Sequence, residues 1–510
     1  MKDAGKLKEE ISKFQEVTRQ FYEGKSSVAE YKSFSGGFGS YAQRGGKAGM
    51  LRLRLTGGRI TKKNLRFIVE SIEKYGIDRL HVTTCQTVQF HNLKADQICA
   101  LVGEAWEYGI ITKGCGGNFP RNVMMSPLSG VRKGEPFDVT GCVTAAADYL
   151  TDILWSVELP RKLKVCFSNS EDNTAHATFR DLGFVAKADQ TFDVYSAGGL
   201  GRNPMMGVLV AESVKPEETL YHIKAMIDTF VAHGNYQNRS RARTRYMQED
   251  LGRDGYRKAY QENLKKALEG EDLKISALSD EITKKGDGVI SHPRAIAQKQ
   301  PGLYAVSYHP AGGSPEPSLF RKLYDAIEEM EEVEIRLSPD EGMYLINCTA
   351  KEAEELLELT KDGAETLFET SVACIGNSIC QIGVRDSQSL LRDCLNAVRP
   401  HHFADGVLPK VHISGCPSSC GTHQIGSLGF RGAVKQTPNG PKSAFAVFEG
   451  GSPMLGREGF GEELGVMEET DIPKFLVELG ETVQGEHMTY DGWSVKNHDA
   501  LLSLIGKYCG

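Results

Sequence analysis

The sequence of 510 residues lacks any apolar run that approaches the roughly 20 residues needed to cross a bilayer. It also lacks a basic excess, since its formal net charge is -7, and this argues against a general nucleic-acid binder. The N-terminal segment MKDAGKLKEE contains neither an apolar signal core nor a cleavage site. We therefore expect a cytoplasmic protein with no membrane partner and no nucleic-acid partner.

The chain also lacks the signs of a disulfide framework. It has 12 cysteines, but the cytosol keeps thiols reduced. Four of these cysteines form two pairs on turns rich in Gly and Pro: Cys374 and Cys380 in ACIGNSICQIG, and Cys416 and Cys420 in SGCPSSCGTHQIG. Four thiolates placed in this way suit the iron atoms of a [4Fe–4S] cluster. A zinc site is one alternative, although structural zinc usually takes closer C-x2-C pairs, and buried structural cysteines are another.

The sequence repeats one structural plan. The strand MLRLRL ends in Gly57 and Gly58, an amphipathic helix follows over 64–75 with Thr61 as its N-cap, and a strand runs from Arg79 to Phe90. The same order returns 255 residues later, where a Gly pair, a helical stripe and the strand EIRLSPDEGMYLI follow one another. This register predicts an internally duplicated chain with a pseudo-twofold interface.

A second pair of segments also matches, because Cys115 in CGGN resembles Cys374 in CIGN at an offset of 259 residues. The chain therefore divides as A–B–A′–B′. We expect an α+β fold in which the A units are small α/β sandwiches and the B units are mixed. The polar stretch at 269–293 is the expected linker between the two halves. A large cofactor can be held at an interface of this kind.

Cationic residues are concentrated in a few short segments of this acidic chain. They are Arg52 and Arg54 in MLRLRL, Arg121 in NFPRNV, Arg161, Lys162 and Lys164 in LPRKLK, and Arg239, Arg241, Arg243 and Arg245 in NRSRARTRY. The last four would share one side of a strand, where mutual repulsion is costly unless an anion lies there. A solvated charged face is the alternative. We favour one polyanionic ligand bound between the halves.

With these motifs the chain resembles the siroheme-dependent nitrite and sulfite reductase family over nearly its whole length. The matching motifs are C-x5-C followed by GC-x3-C, LRxRLxGG, xRNV and LPRKxK. We expect an N-terminal helix over roughly 3–24. The resemblance implies that this helix and a first ferredoxin-like half-domain occupy 1–110, that a first siroheme-binding α+β domain occupies 111–285, that a second ferredoxin-like half-domain occupies 290–362, and that a [4Fe–4S] and siroheme-binding α+β domain occupies 363–510. It also implies that Cys420, besides binding the cluster, ligates the siroheme iron.

The resemblance assigns the residues to two roles. The anion-binding, catalytic residues are expected to be Arg52, Arg121, Lys162 and Lys164. The residues expected to hold the siroheme, besides Cys420, are Arg54, Arg161, Arg239, Arg241, Arg243 and Gln86. One departure is notable: the family often has an arginine inside its TxRQ segment, whereas this chain has Cys85 in TTCQT.

The implied activity is the six-electron reduction of sulfite to sulfide, with reduction of nitrite to ammonia as the alternative. Lys164 favours sulfite, since a doubly charged anion gains more from an additional cation. No flavin or nicotinamide motif is visible, so a ferredoxin or a flavoprotein subunit is the expected electron donor. A different hypothesis is a non-catalytic iron–sulfur or zinc protein, which predicts that the four catalytic cations lie apart on the surface.

Overall fold

A computed structural model describes residues 4–276, 279 and 281–510. The predicted N-terminal helix at 3–24 begins at a position outside the described residues. Positions 277, 278 and 280 of the predicted linker also lie outside them. The described residues form four β-sheets, which follow one another along the chain.

The first sheet has four antiparallel strands in the order β1-β2-β5-β4. The elements of this unit are α1 Ala4–Tyr22, α2 Val28–Ser35, β1 Ser40–Ala42, β2 Gly49–Arg52, β3 Arg59–Ile60, α3 Lys62–Tyr75, β4 Leu80–Val82, β5 Val88–Leu93 and α4 Ala95–Glu107. Thr61 caps α3 by accepting a hydrogen bond from the N–H of Asn64, and Gly76 ends the helix in a left-handed conformation. The predicted N-cap and the predicted last residue are confirmed, and the helix begins at Lys62, two residues before the predicted position 64.

The second sheet has five strands in the order β10-β9-β8-β7-β6. Its unit contains β6 Met124–Met125, α5 Thr140–Asp152, β7 Val165–Ser168, β8 Leu182–Ala186, β9 Phe192–Ser196, β10 Val208–Val214, α6 Thr219–His233 and α7 Tyr246–Glu269. Strands β6, β7 and β8 are parallel, and β9 and β10 continue the sheet antiparallel. Burial of Val165, Phe167 and Phe184 against the helices explains the apolar runs of this segment.

The third unit repeats the first. It contains β11 Ala295–Ala297, β12 Tyr304–Tyr308, α8 Pro317–Ile327, β13 Glu334–Leu337, β14 Met343–Cys348 and α9 Ala350–Leu359. Its sheet has the order β11-β12-β14-β13-β3, so that β3 of the first half supplies the last strand. One hydrophobic core extends through both units, from Leu51 and Phe90 to Val306 and Leu345.

The fourth unit repeats the second. It contains β15 Val372–Ala373, α10 Ser387–Val398, β16 Val411–Ser414, β17 Leu428–Thr437, β18 Gly440–Glu449, β19 Glu462–Glu468, α11 Ile472–Gly485, α12 Tyr490–Lys496 and α13 His498–Cys509. The strand order β15-β16-β17-β18-β19 has the same parallel and antiparallel pairings as the second sheet. The predicted duplicated α+β architecture is therefore confirmed.

The 255-residue offset holds in three dimensions, because β5 and β14 are displaced by that number at both ends. The predicted equivalence of Cys115 and Cys374 is wrong. The N–H of Cys374 donates to the carbonyl of Ile413, and the corresponding bond in the first half runs from Ser126 to Phe167. Cys374 therefore occupies the position of Ser126, because the sheet register and not the local letter match decides equivalence.

The predicted single strand from Arg79 to Phe90 is also wrong. It is the antiparallel hairpin β4–β5, in which Leu80 pairs with Phe90. The N–H of Thr83 donates to the carbonyl of Thr87 (3.0 Å), and Gln86 takes a left-handed φ of 53° in the turn. The equivalent strand of the second half is likewise the hairpin β13–β14. Each hairpin turn reaches the interface between the halves.

Gln86 at the first turn forms hydrogen bonds across this interface. Its side-chain amide donates to the carbonyls of Met125 (3.0 Å) and Leu337 (2.6 Å), and its oxygen accepts from the N–H of Met125 (2.9 Å). These bonds satisfy the polar atoms of the buried amide, and the expected role of Gln86 at the siroheme stays a prediction. Its counterpart 255 residues later is Glu341, which is also buried.

Glu341 accepts a hydrogen bond from the N–H of Ala373 (2.8 Å), and its other oxygen lies 3.6 Å from Nε2 of His81. Burial, together with the nearby Asp340 carboxylate, raises the pKa of Glu341 well above its usual range. Asp340 pairs with Lys410 and Glu341 points into the interface.

We predict that Glu341→Gln stabilises the fold increasingly from pH 5 to pH 8. The folded state favours the protonated acid, whereas the unfolded chain loses this proton above the ordinary pKa of a glutamate. The wild type therefore loses stability as pH rises, and the Glu341→Gln variant does not. Thermal unfolding at several pH values measures the difference. Glu354→Gln, on the exposed face of α9, is the control, and equal pH profiles for Glu341→Gln and the wild type would contradict the prediction.

Candidate active site

Two of the predicted catalytic arginines meet at one backbone carbonyl. Arg52, at the end of β2, donates to the carbonyl of Cys115 (2.9 Å), and Arg121 donates to the same carbonyl (2.7 Å) and to that of Gly117 (2.8 Å). Removal from water, and the neighbouring charge of Arg52, lower the pKa of Arg121 to about 10. Although burial alone would raise it, these two arginines lower the pKa of the Tyr41 hydroxyl.

Two lysines reach the same cleft from the segment that leads into β7. The backbone N–H of Lys164 donates to buried Asp181 (2.8 Å), and its ammonium lies 3.3 Å from Sγ of Cys85. Burial, then the charges of Lys164, Arg243 and Arg121, lower the pKa of Lys162 well below its usual range. Among the described residues no carboxylate lies within ion-pair distance of Lys162. A lysine that lies among like charges with no carboxylate partner is typical of a binding site for an external anion.

The four cysteines of the predicted cluster lie on two loops of the fourth unit. Cys374 follows β15, and its sulfur accepts hydrogen bonds from the N–H of Gly415 (3.2 Å) and contacts the hydroxyl of Ser387 (3.1 Å). Burial raises the pKa of Cys420, Lys162 lowers it, and the thiols of Cys416 and Cys380 raise it further. The thiols of Cys380 and Cys416 therefore lie near that of Cys420.

Two metal alternatives exist for these thiols. Four thiolates on one zinc ion lie about 2.3 Å from it, whereas a four-iron cluster spreads its thiolates over a larger volume. In the described part of the chain, no group of three or more His, Cys, Asp or Glu side chains is close enough to hold a single ion.

The first half of the chain buttresses the cysteine loops. Arg44 donates to the carbonyls of Cys380 (3.2 Å) and Gly383 (2.7 Å), and its N–H donates to the carbonyl of Ile379 (2.8 Å). The hydroxyl of Thr84, in the β4–β5 turn, donates to the carbonyl of Cys420 (2.9 Å). The site is therefore completed across the interface between the halves.

The predicted arginine strand is not a strand. Arg239–Arg241 form a short 3₁₀ helix, and α7 begins at Tyr246. Arg239 is exposed, and Arg241 pairs with Glu249 (2.8 Å) and Asp250 (2.9 Å) on the surface. The alternating arginines wrongly predicted a strand, because Asn238 starts a turn by accepting a hydrogen bond from the N–H of Ser240. The prediction that all alternating arginines share one face is therefore wrong.

Only the later arginines of this segment lie in the cleft. Arg243 pairs with Asp181 (3.0 Å). Arg245 is buried beside Gly199 and Gly201, stacks over the ring of Tyr246, and leaves two of its nitrogens, Nε and Nη1, without a hydrogen-bond partner. Arg161 lies nearby with an amide contact to Asn118 (3.3 Å), and burial with the charges of Arg239 and Arg243 lowers its pKa to about 10.

Arg54 lies beneath the loop that carries Arg121. Its guanidinium is buried against the carbonyl of Pro120 and the hydroxyl of Thr151. The expected role of Arg54 at the siroheme stays a prediction.

Sequence reasoning missed Asp181 and Arg180. Asp181 accepts from Arg243, Thr244 and the N–H of Lys164, and thereby positions two cationic segments at once. Arg180 contacts Nδ1 of His176 (3.2 Å) and lies in the electrostatic environment of Cys85. The available signal was the charged pair RD directly before the apolar strand LGFVA, which is an unusual place for charge unless it is paired.

Comparison with known proteins finds two domain profiles that match parts of the chain. Residues 41–107 match the profile of the nitrite/sulfite reductase ferredoxin-like half domain, and residues 116–268 match that of the nitrite and sulphite reductase 4Fe-4S domain. The four clustered cysteines lie outside both matched ranges, in the repeat of the second domain.

Similar proteins cover most of the chain. A ferredoxin–nitrite reductase of Leptolyngbya laminosa is 25% identical over 83% of this chain and 83% of its own length. A protein named sulfite reductase [ferredoxin] 2, of Mycolicibacterium paratuberculosis, is 24% identical over 81% of this chain and 75% of its own length. The solved structure of the Mycobacterium tuberculosis NirA protein superposes with a TM-score of 0.78 at 20% identity, over 96% of this chain and 95% of that chain, and shows the same fold.

The structure is assembled from two repeated halves, and its residues 41–107 and 116–268 are similar to two domains of the nitrite and sulphite reductases. The relatives that share most of its length are named as nitrite and sulfite reductases. Within the described residues, no helix combines the length and the apolar character that a membrane span requires.

We predict that Asp181→Asn lowers the stability of the protein by about 3 kcal/mol, because it leaves Arg243 buried without its counter-charge. Although burial opposes it, the charge of Arg243 and the hydrogen bonds keep the pKa of Asp181 below its usual range. The wild type therefore loses this stabilisation as pH falls, and the difference between wild type and variant narrows towards pH 3. Denaturant unfolding measures both values. Asp254→Asn, whose side chain is 97% exposed, is the control, and an equal cost at the two positions would refute the assignment.

Proposed function

We propose that this chain catalyses the six-electron reduction of sulfite to sulfide at a siroheme joined through the thiolate of Cys420 to a [4Fe–4S] cluster. One observation carries the proposal: Arg52, Arg121, Lys162 and Lys164, which are distant in sequence, converge on one cleft beside Cys420. The non-catalytic hypothesis predicted that these cations would lie apart. Their clustering is costly without an anion.

The residues of the cleft fit a polyanionic cofactor. Buried guanidinium nitrogens of Arg121, Arg243 and Arg245 have no hydrogen-bond partner in the protein, and a ring with several carboxylates would supply the missing acceptors. Arg161, Arg243 and Arg245 are the residues that would hold these carboxylates. The residues that would hold the cluster are Cys374, Cys380, Cys416 and Cys420. When bound, the two groups supply the iron that takes the substrate and the electrons that reduce it.

The cations of the chain would act on the substrate oxygens. Arg52 and Arg121 are fixed by the Cys115 carbonyl, so their remaining N–H groups are oriented before the anion arrives. Burial lowers the pKa values of Lys162 and Lys164, and an ammonium with a lowered pKa releases its proton more readily near neutral pH. The lysines therefore donate protons to departing oxygen, and the arginines keep their charge.

The preference for sulfite depends on Arg52, Arg121 and Lys162, because a dianion gains more from each of these cations than a monoanion does. The cation of Lys164, which was expected to add to this preference, is engaged by Cys85 (3.3 Å). This contact favours nitrite, which is the second candidate. Relatives of both names are found at similar identity. We therefore propose that the cleft admits both anions and that sulfite is preferred.

An external protein supplies the electrons in this proposal. Several relatives are named as ferredoxin-dependent enzymes, and we take a ferredoxin as the donor, with a flavoprotein subunit as the alternative. The domain boundaries at 110, 285, 290 and 362, together with a cytoplasmic location, complete the proposal.

We predict that Cys416→Ser abolishes the cluster, whereas Cys394→Ser does not, because Cys394 is buried inside α10. Anaerobically purified protein should lose most of its iron and acid-labile sulfide in the first variant and retain both in the second. In the wild type, electron paramagnetic resonance should show the two iron centres magnetically coupled. Independent centres, or wild-type iron content in Cys416→Ser, would defeat the proposal.

Steady-state kinetics with a reduced viologen as donor test the substrate. We expect the holoprotein to reduce both anions, with the higher kcat/KM for sulfite, since three further cations remain available besides Lys164. A higher kcat/KM for nitrite would reverse the preference while leaving the cofactor assignment intact.

A further inference from the structure

The β4–β5 turn carries a cysteine into the anion cleft. Cys85 lies at the tip of this turn, and its sulfur is 3.3 Å from the ammonium of Lys164. Three hydrogen bonds fix the turn: the N–H of Cys85 donates to Thr83 (3.3 Å), Asn122 donates to the Cys85 carbonyl (3.2 Å), and Thr84 donates to the carbonyl of Cys420 (2.9 Å). The thiol therefore has a defined position beside one catalytic lysine.

The surroundings of this thiol are cationic on several sides. Lys164 faces it from the segment before β7, Arg180 from the segment before β8, and Arg52 from the end of β2. Although burial opposes it, these charges lower the pKa of the Cys85 thiol to about 6. Arg121 adds to the same field, and Cys166 on β7 is a neighbour that burial keeps as a neutral thiol, with its pKa raised to about 12.

We propose that Cys85 is a specificity-determining residue, which pairs as a thiolate with Lys164 and thereby lowers the charge that the cleft presents to its substrate. This inference rests on the proposed function and deepens it. The ammonium–thiolate pair has no net charge, and neither has the amine–thiol pair that proton transfer between them would give. In both states Lys164 contributes no net positive charge to the cleft, so a monoanion competes better with a dianion.

The charge of the substrate decides the size of this effect. Because the interaction energy with a substrate is proportional to its charge, a dianion such as sulfite is affected more than nitrite.

The experiment compares holoprotein of the wild type, Cys85→Ser, Lys164→Met and the double variant. Dissociation constants for sulfite and nitrite are measured from the optical spectrum of the bound siroheme. We expect Cys85→Ser to raise the affinity for sulfite relative to nitrite by about tenfold, since it frees the charge of Lys164. Lys164→Met should weaken the binding of both anions, because it removes a residue of the anion site, and in the double variant it should abolish the gain in the sulfite-to-nitrite ratio.

A second measurement reads the ion pair directly and does not depend on the substrate. Iodoacetamide labelling, followed by mass spectrometry of the peptide that contains Cys85, gives the fraction of thiolate as a function of pH. We expect the wild-type rate to reach half its maximum near pH 6 and the Lys164→Met rate to do so at a higher pH. Cys85→Ala provides a further variant of the binding experiment if the serine variant is poorly folded.

The outcomes are distinct. The specificity role is overturned if the ratio of the sulfite and nitrite affinities is unchanged in both Cys85 variants. It is also overturned if the effects of Cys85→Ser and Lys164→Met on this ratio simply add in the double variant. A labelling profile with an ordinary thiol midpoint that is the same with and without Lys164 overturns the ion pair. Protein that contains siroheme but binds neither anion overturns the proposed function and the specificity role together, and the labelling profile then still decides whether the pair exists.

Discussion

The accumulation of positive charge in one cleft is the physical constraint on which this structure depends. Arg121, Lys162 and Arg245 are withdrawn from water among like charges, and burial opposes the charged form of each. The chain meets this cost with fixed acceptors. Backbone carbonyls orient the arginines, and the buried carboxylate of Asp181 holds Arg243 while it also anchors the lysine segment. The charge that remains is available to an external anion.

The duplication explains how such a cleft can be built. Each half supplies a hairpin turn to the interface, and the two turns have diverged in chemistry while they have kept their geometry. Gln86 and Glu341 occupy equivalent positions, both with left-handed backbone, and both bond the first strand of the following mixed sheet. In the first half the positions equivalent to Cys374 and Cys416 are Ser126 and Ser170, which contact each other at 3.5 Å. The thiols for a cluster are therefore present on one side of the pseudo-twofold axis.

Much of this organisation could be predicted from the sequence, because the repeat register and the cysteine spacing are local patterns. The ends of α3 followed from Thr61 and Gly76, and the family motifs identified the four cations. One failure has a local cause. The alternation of Arg239, Arg241 and Arg243 is typical of a strand, but the side chain of Asn238 accepts the N–H of Ser240 and starts a turn instead. The contacts of Arg54 and Gln86 could not be predicted, because their partners, Thr151 and Leu337, are distant in sequence.

The contribution of strand β3 to the second half has a consequence for the independence of the two halves. This strand leaves the first half and completes the sheet of the second through the pairing of Ile60 with Ile335. A carboxyl-terminal half made alone would present β13 as a bare sheet edge, and such edges invite aggregation. Because one hydrophobic core also extends through the first and third units, neither half can bury its apolar residues fully without the other.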